Sequence, residues 1–181
     1  TVKTAYRALM TQKECLALEE GTDTGTSRDD QQLWSALWKL NVVPKVRLFW
    51  WRVIRGILPD EHTLKRRHIS ENSRCNICLA RDEDLQHALM YCSHAKRFWH
   101  EARSWFDLHL PQLHPDSWAR DILCHDRFSQ KDRPLIITIM WAIWHSRNKI
   151  EHNEEGTDPT TSMRLTREDL AILDLPRNLT M

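Results

Sequence analysis

Glycine and tyrosine are scarce in this sequence, with four of the first and two of the second among 181 residues. Few glycines leave few places for tight turns, and no stretch carries a convincing strand pattern or an internal repeat. No apolar run approaches the ~18 residues that a membrane span requires; the longest nearly apolar stretch is Leu135 to Trp144. The opening from Thr1 has no basic-then-apolar signal segment. These absences predict an intracellular protein of nucleus or cytoplasm, not secreted, with no membrane partner, and a fragment of something longer. An excess of one charge is missing too: 26 Lys and Arg against 25 Asp and Glu leave +1, so any attraction for nucleic acid must come from local asymmetry. What is abundant is tryptophan. Nine indoles, in a chain with 41% apolar and 28% charged residues, suggest a globular fold of helices packed through aromatic rings.

The apolar spacing is helical throughout, so the fold class is mainly α. Residues 1–18 place Val2, Ala5, Tyr6, Leu9 and Met10 on one face of a short helix. Residues 19–32 have no apolar side chain and hold two of the four glycines, which predicts a flexible loop. The pattern resumes with Leu33, Trp34, Leu37, Trp38 and Leu40 and breaks at Pro44, a suitable first residue for the next helix. Over Pro44 to Arg55, Val46, Phe49, Trp50, Val53 and Ile54 make one inward stripe, and Gly56 supplies a C-terminal cap. Asp60 can cap a following helix with Leu64 and Ile69 as its apolar contacts. Asp84 can cap a helix bearing His87, and Ser93 one in which Ala95, Phe98, Trp99, Ala102 and Phe106 are buried. Pro111 to Pro115 is a break, and Ser117 to Leu123 a short helical turn. Pro134 to about Asn153 reads as a long, buried helix with Ile136, Ile137, Met140, Trp141 and Trp144 on its densest face. From Glu154 the pattern fades into loop, a short amphipathic piece around Leu170 to Leu173, and a tail.

One constellation carries chemistry. Cys75, Cys78, His87 and Cys92 form C-x2-C-x8-H-x4-C, three thiols and an imidazole within eighteen residues. That is a complete tetrahedral set for zinc, with no position left for water or substrate, so the ion would serve folding rather than catalysis. A three-thiolate, one-imidazole site favours zinc over copper or iron. The alternatives are four small buried hydrophobes, the reading that suits Cys15 and Cys124, or a Cys75–Cys78 disulfide, which implies a redox motif in a βαβ setting not seen here. Apart from His87, the ten histidines show no partner.

Trp34 to Trp38, Val43 to Trp51, Gly56-Ile57-Leu58-Pro59, Leu64, the Cys75/Cys78 pair, Glu83-x3-His87, Cys92 and Phe98-Trp99 together resemble the reverse transcriptase zinc-binding domain. That module follows the polymerase in plant LINE-type (non-LTR) retrotransposon proteins, often ahead of a ribonuclease H domain. Val2 to Tyr6 resembles its start, and Met140 to Trp144 with Arg147-Asn148-Lys149 the helical segment that commonly follows it. The resemblance implies a zinc-stapled helical domain over 1–107, with 19–32 as a variable loop, and a C-terminal helical extension and tail over 108–181. It places the metal ligands on Cys75, Cys78, His87 and Cys92. Leu79 stands where the family usually has glycine, and Asp84 where it usually has threonine. The Tyr/Phe-x-Asp-Asp motif of a polymerase is missing, and Asp158, Glu168 and Asp169 are too scattered for a two-metal nuclease. The chain is therefore expected not to be an enzyme.

Two functions fit. The first is a non-catalytic module that assists RNA or DNA binding beside the polymerase domain of the parent protein; the second is an architectural or protein-interaction domain without nucleic-acid contact. For the first, residues 44–74 hold eight basic side chains against three acidic ones. Lys45, Arg47, Arg52, Arg55, Lys65, Arg66 and Arg67 are the candidate phosphate contacts, and Trp51 the candidate stacking platform.

Overall fold

In the structure, a computed structural model, residues 28–79 and 82–174 are described. The helix predicted for residues 1–18, Cys15, most of the 19–32 loop and the tail after Asp174 lie outside them. Contacts group Leu33–Met181 as one compact unit and Thr1–Gln32 as another, of which only residues 28–32 are described, as the start of a helix.

That helix, α1 (Arg28–Lys39), takes in the end of the stretch predicted to be a loop. Asp29 and Asp30 in its first turn complement the positive end of the helix dipole. Its buried seam is Leu33 and Leu37, one turn apart, while Trp38 stands exposed rather than packed. Helix α2 (Pro44–Ile54) starts on proline and buries Val46, Phe49, Trp50 and Val53. Gly56 follows at φ +59°, the left-handed turn glycine adopts most readily. Helix α3 (Glu61–Arg66) is capped by the Asp60 carboxylate, which accepts the Thr63 amide at 2.6 Å. Its predicted apolar contacts change: Ile69 is exposed and Leu64 half-buried, while Glu61 and Thr63 face inward.

A single π-helical turn (His87–Tyr91) leads into α4 (Ser93–Phe106). Then come α5 (Trp118–Cys124), the twenty-residue α6 (Asp132–Glu151) and α7 (Pro159–Asp174). Cys92, not Ser93, is the residue that caps α4. The region after Glu154 is far more helical than its pattern suggests. Its inward seam is Pro159, Ser162, Met163 and Thr166, in which a single large apolar side chain leaves no apolar period to read. Asp158 caps α7 by accepting the Thr161 amide at 2.9 Å, and Glu168 pairs with Arg164 at 3.0 Å, so these carboxylates serve the helix.

Among the described residues there is no strand, only one isolated bridge between Arg74 and Asp82. The fold is mainly α. No helix among them is long and apolar enough to cross a membrane. Helix α6 is the axis: α2, α4, α5, α7 and the π turn all pack on it, and α7 also lies along α4. Residues after 107 thus share one core with those before it. Leu135 to Met140, Ala142, Ile143 and Trp144 are buried, as the all-round apolar pattern predicts, and Trp141 is half-buried. Trp50 meets the edge of Trp118 at 5.7 Å, joining α2 to α5.

Arg147, in this apolar helix, is only 3% exposed. Its guanidinium donates to both oxygens of the fully buried Glu83 carboxylate and lies 3.1 Å from Glu151. Removing one partner of such a pair strands a charge in a medium that cannot solvate it. Arg147→Met should therefore cost ~3–5 kcal/mol in urea unfolding, and adding Glu83→Gln should recover part of the loss by removing the stranded charge. A loss below ~1 kcal/mol, the level of a surface pair, would show that water reaches Glu83.

Candidate metal centre

The centre is assembled from a turn and the start of a helix, each held by its own hydrogen bonds. Before the first cysteine, the Asn72 side chain accepts the Arg74 amide at 2.9 Å, and the Ser73 carbonyl accepts the Glu83 amide at 2.6 Å. The Ser73 hydroxyl donates to Asp82 at 3.0 Å. These bonds clamp the base of the loop on which Cys75 and Cys78 sit. Within it, the Leu79 amide returns to the Cys75 carbonyl at 2.9 Å. Leu79 stands at φ +58° with its side chain in solvent, so the turn is the one a glycine would make, formed by leucine.

The other two ligands come from the π turn. Asp84 accepts the His87 amide at 2.6 Å, the predicted cap. The Cys92 amide then bonds the His87 carbonyl at 2.8 Å, five residues back. In an α-helix, at about 100° per residue, side chains five apart diverge by roughly 140°. Winding to an i→i−5 bond brings them nearer one side, which is what an x4 spacing between ligands needs.

Together these elements place the three Sγ atoms and a ring nitrogen of His87 within 4.8 Å of one another. Cys75 Sγ lies 3.8 Å from Cys92 Sγ, and Cys78 Sγ 3.3 Å from His87 Nε2. All described cysteines are free thiols, so Cys75 and Cys78 do not form a disulfide. Tetrahedral zinc with sulfur ligands at ~2.3 Å separates them by about 3.8 Å. The donor set and its spacing thus fit the ion. Cys75, His87 and Cys92 are buried and Cys78 half-buried, which places the cluster against the core.

The sulfurs of Cys75 and Cys92 lie within hydrogen-bonding distance of each other. The hydrogen bond with Cys92, then burial, then Glu83 push the Cys75 thiol up. The same bond from Cys75 draws Cys92 down to about 7, with the His94 amide also favouring its thiolate. Burial, then Arg97 and Arg147, hold His94 neutral by lowering it to about 4. Burial, with Glu83 adding, raises Asp60.

Glu83 is the functional residue whose role the spacing does not reveal. Its carbonyl accepts the His62 amide at 3.0 Å, and its carboxylate accepts the Glu61 amide at 3.3 Å besides the Arg147 guanidinium. The resemblance marks Glu83 only through its Glu83-x3-His87 spacing; the signal for its ion pair is an arginine inside an apolar helix, which requires a buried partner. Asn76 extends the link, donating to Glu61 at 3.0 Å and to Glu151 at 3.1 Å.

The candidate nucleic-acid residues are differently placed. Arg47 turns back and donates to the carbonyls of Leu40 and Val42, at 2.8 and 3.3 Å. Trp51 is half-buried against the core. Lys45 is exposed with its ammonium 4.2 Å from the Trp141 ring, and exposed Arg55 lies 5.2 Å from that of Trp34. Arg52, Lys65, Arg66 and Arg67 are exposed.

The family described as zinc-binding in reverse transcriptase matches residues 1–99. No curated protein and no solved structure matches the chain.

The leucine in the left-handed turn costs roughly 1–2 kcal/mol relative to an unstrained backbone, part of which glycine returns as unfolded-state entropy. Leu79→Gly should accordingly stabilise the protein by about 1 kcal/mol in urea unfolding. An unchanged or lower midpoint would mean that the Leu79 side chain makes a contact outweighing the strain.

Proposed function

Since the chain belongs to the family of zinc-binding domains in reverse transcriptases, we propose that it is a non-catalytic module of a reverse transcriptase protein, with one structural zinc ion held by Cys75, Cys78, His87 and Cys92. The convergence of three sulfurs and an imidazole nitrogen within 4.8 Å carries this reading. When bound, zinc there supplies folding free energy, since every coordination position belongs to the protein. The chain's own part is to hold the donors together: the Asn72 and Ser73 bonds fix the first pair, and Asp84 and the π turn the second.

Within that role the module assists RNA or DNA binding, beside the polymerase domain of the same protein. Its setting is a LINE-type element of plant origin, working in nucleus or cytoplasm. Support comes from the exposed Arg52, Lys65, Arg66 and Arg67 of the basic stretch, together with Lys45 and Arg55. The architectural reading rests on Arg47 and Trp51, which are engaged in holding the fold.

Metal analysis should find one zinc per chain, lost in the Cys75→Ser, Cys92→Ser double variant and kept in Cys124→Ser. Thiolates must lose protons to bind, so apparent affinity should fall as pH drops. Zinc retained in the double variant would remove the assignment. Binding to a single-stranded oligonucleotide should weaken steeply with salt, and Arg52→Gln with Arg55→Gln should flatten the slope by about 1 to 2 units, at ~0.7–0.9 per neutralised phosphate. No binding at low salt, or an untouched slope, would favour the architectural reading.

A further inference from the structure

Away from the basic stretch of α2 and α3, a groove of about 550 Å³ runs between the outer face of α4, the end of the π turn and residues 108–112. That volume falls within the ~300–1,000 Å³ of clefts that take small ligands. Tyr91, Lys96, Trp99, His100 and Arg103 form one wall; the chain from Leu108 to Gln112 forms the other, and no carboxylate lines it. Asp107, just outside, sits 3.9 Å from His109 and is almost wholly in solvent. Lys96 and His100 also border a second depression, where Glu101 and Asp158 offset Arg97, so the cationic stretch stops there.

Of the two aromatic rings in this wall, Tyr91 is exposed, while Trp99 is half-buried with one side packed against the core. The Trp99 indole N–H donates to the Leu89 carbonyl at 2.9 Å, which fixes the ring at the groove wall with its polar atom satisfied. Tyr91 is 41% exposed although the four residues before it are buried. A flat ring left in solvent on a rigid turn, with a fixed indole and two cations in the same wall, is the combination that unpaired bases and their phosphates recognise.

We propose that this groove binds single-stranded nucleic acid, with a base stacking on Tyr91 or Trp99 while Lys96 and Arg103 contact the flanking phosphates. The proposal rests on the nucleic-acid reading above and places its main contact on α4 and the π turn rather than on α2 and α3. Stacking on a π face is sequence-tolerant, so the groove reads unpairedness rather than base identity.

The test uses the zinc-loaded chain and a fluorescein-labelled oligothymidine at low salt. Tyr91→Ala should lower affinity roughly 5- to 160-fold and Tyr91→Trp should restore most of it, with zinc content measured in both; because Tyr91 ends the π turn that carries His87, the Lys96 and Arg103 substitutions decide the test if either variant loses zinc. Lys96→Gln with Arg103→Gln should lower affinity and flatten the salt slope. An oligonucleotide carrying 5-iodouridine should crosslink to a peptide containing Tyr91 or Trp99. Wild-type binding that survives all these substitutions, but is lost in the Arg52→Gln, Arg55→Gln variant, overturns the groove while the nucleic-acid reading stands. Wild-type protein that fails to bind any single strand at low salt overturns both. Unchanged oligonucleotide affinity together with weakened self-association in Tyr91→Ala would assign the groove to a second copy of the chain instead.

Discussion

The buried carboxylate of Glu83 is the group on which the other parts converge. Its main chain is fixed to the loop before the first cysteine and to the amide of His62, and its side chain to the start of α3 and to Arg147 of α6. A charge removed from water in this way gains little net stability over a well-packed apolar replacement. It acts instead on register. Only one placement of the metal loop on α6 satisfies both oxygens, and a shift of either element would leave a charge without a partner. Glu83 also stands close enough to Cys75 to oppose ionisation of its thiol. Metal loop, α3 and α6 therefore share one electrostatic arrangement, and the metal cluster belongs to the core rather than to an appended knuckle.

That placement explains why a four-residue ligand set can matter to a fold of this size. Cys75 and Cys92 belong to the same buried core cluster as Ala88, Leu89 and Ala95, and Cys92 is also the N-cap of α4. Without a metal, three thiols and an imidazole are polar groups packed against an apolar core. A cation replaces that frustrated set with four bonds and draws together the loop and the helix that carry them. The strained Leu79 turn is tolerated in the same setting, because the loop is anchored at both ends.

Much of this was legible in the sequence, and the limits have physical causes. The inward stripe of α2, the burial of α6, the caps at Asp60 and Asp84 and the ligand quartet follow from spacing, since apolar period and capping chemistry are local. The π turn was not, because a change of winding by one residue leaves no compositional trace. Helix α7 is legible only at its end, around Leu170 to Leu173, for the opposite reason. Its inner seam is serine, threonine, proline and a single methionine, so its packing against α4 depends on close approach rather than on apolar area. Trp38 and Ile69 are large and apolar yet exposed, because a helix buries only the face its neighbours cover. The Glu83–Arg147 pair joins residues 64 apart, and no local pattern encodes such a distance.

The tryptophans and arginines also have to be counted together. In a nearly neutral chain with nine indoles, several cations lie over the protein's own rings: Lys45 over Trp141, Arg55 over Trp34, Arg147 over Trp144, and Arg167 over both Trp105 and Phe106. Such contacts contribute ~0.5–1 kcal/mol at exposed sites, so a phosphate must compete with an aromatic face for the same cation. Arg47 is further withdrawn by its two backbone carbonyls. A tally of basic residues along 44–74 therefore overstates the positive charge that this surface can offer to a ligand. By the same reasoning, Lys96 and Arg103 weigh more than their number suggests: they border an open groove and lie over none of the rings just named. Arg52, Lys65, Arg66 and Arg67 are likewise exposed and over none of those rings, so what sets the groove apart is the exposed Tyr91 ring in the same wall as its cations.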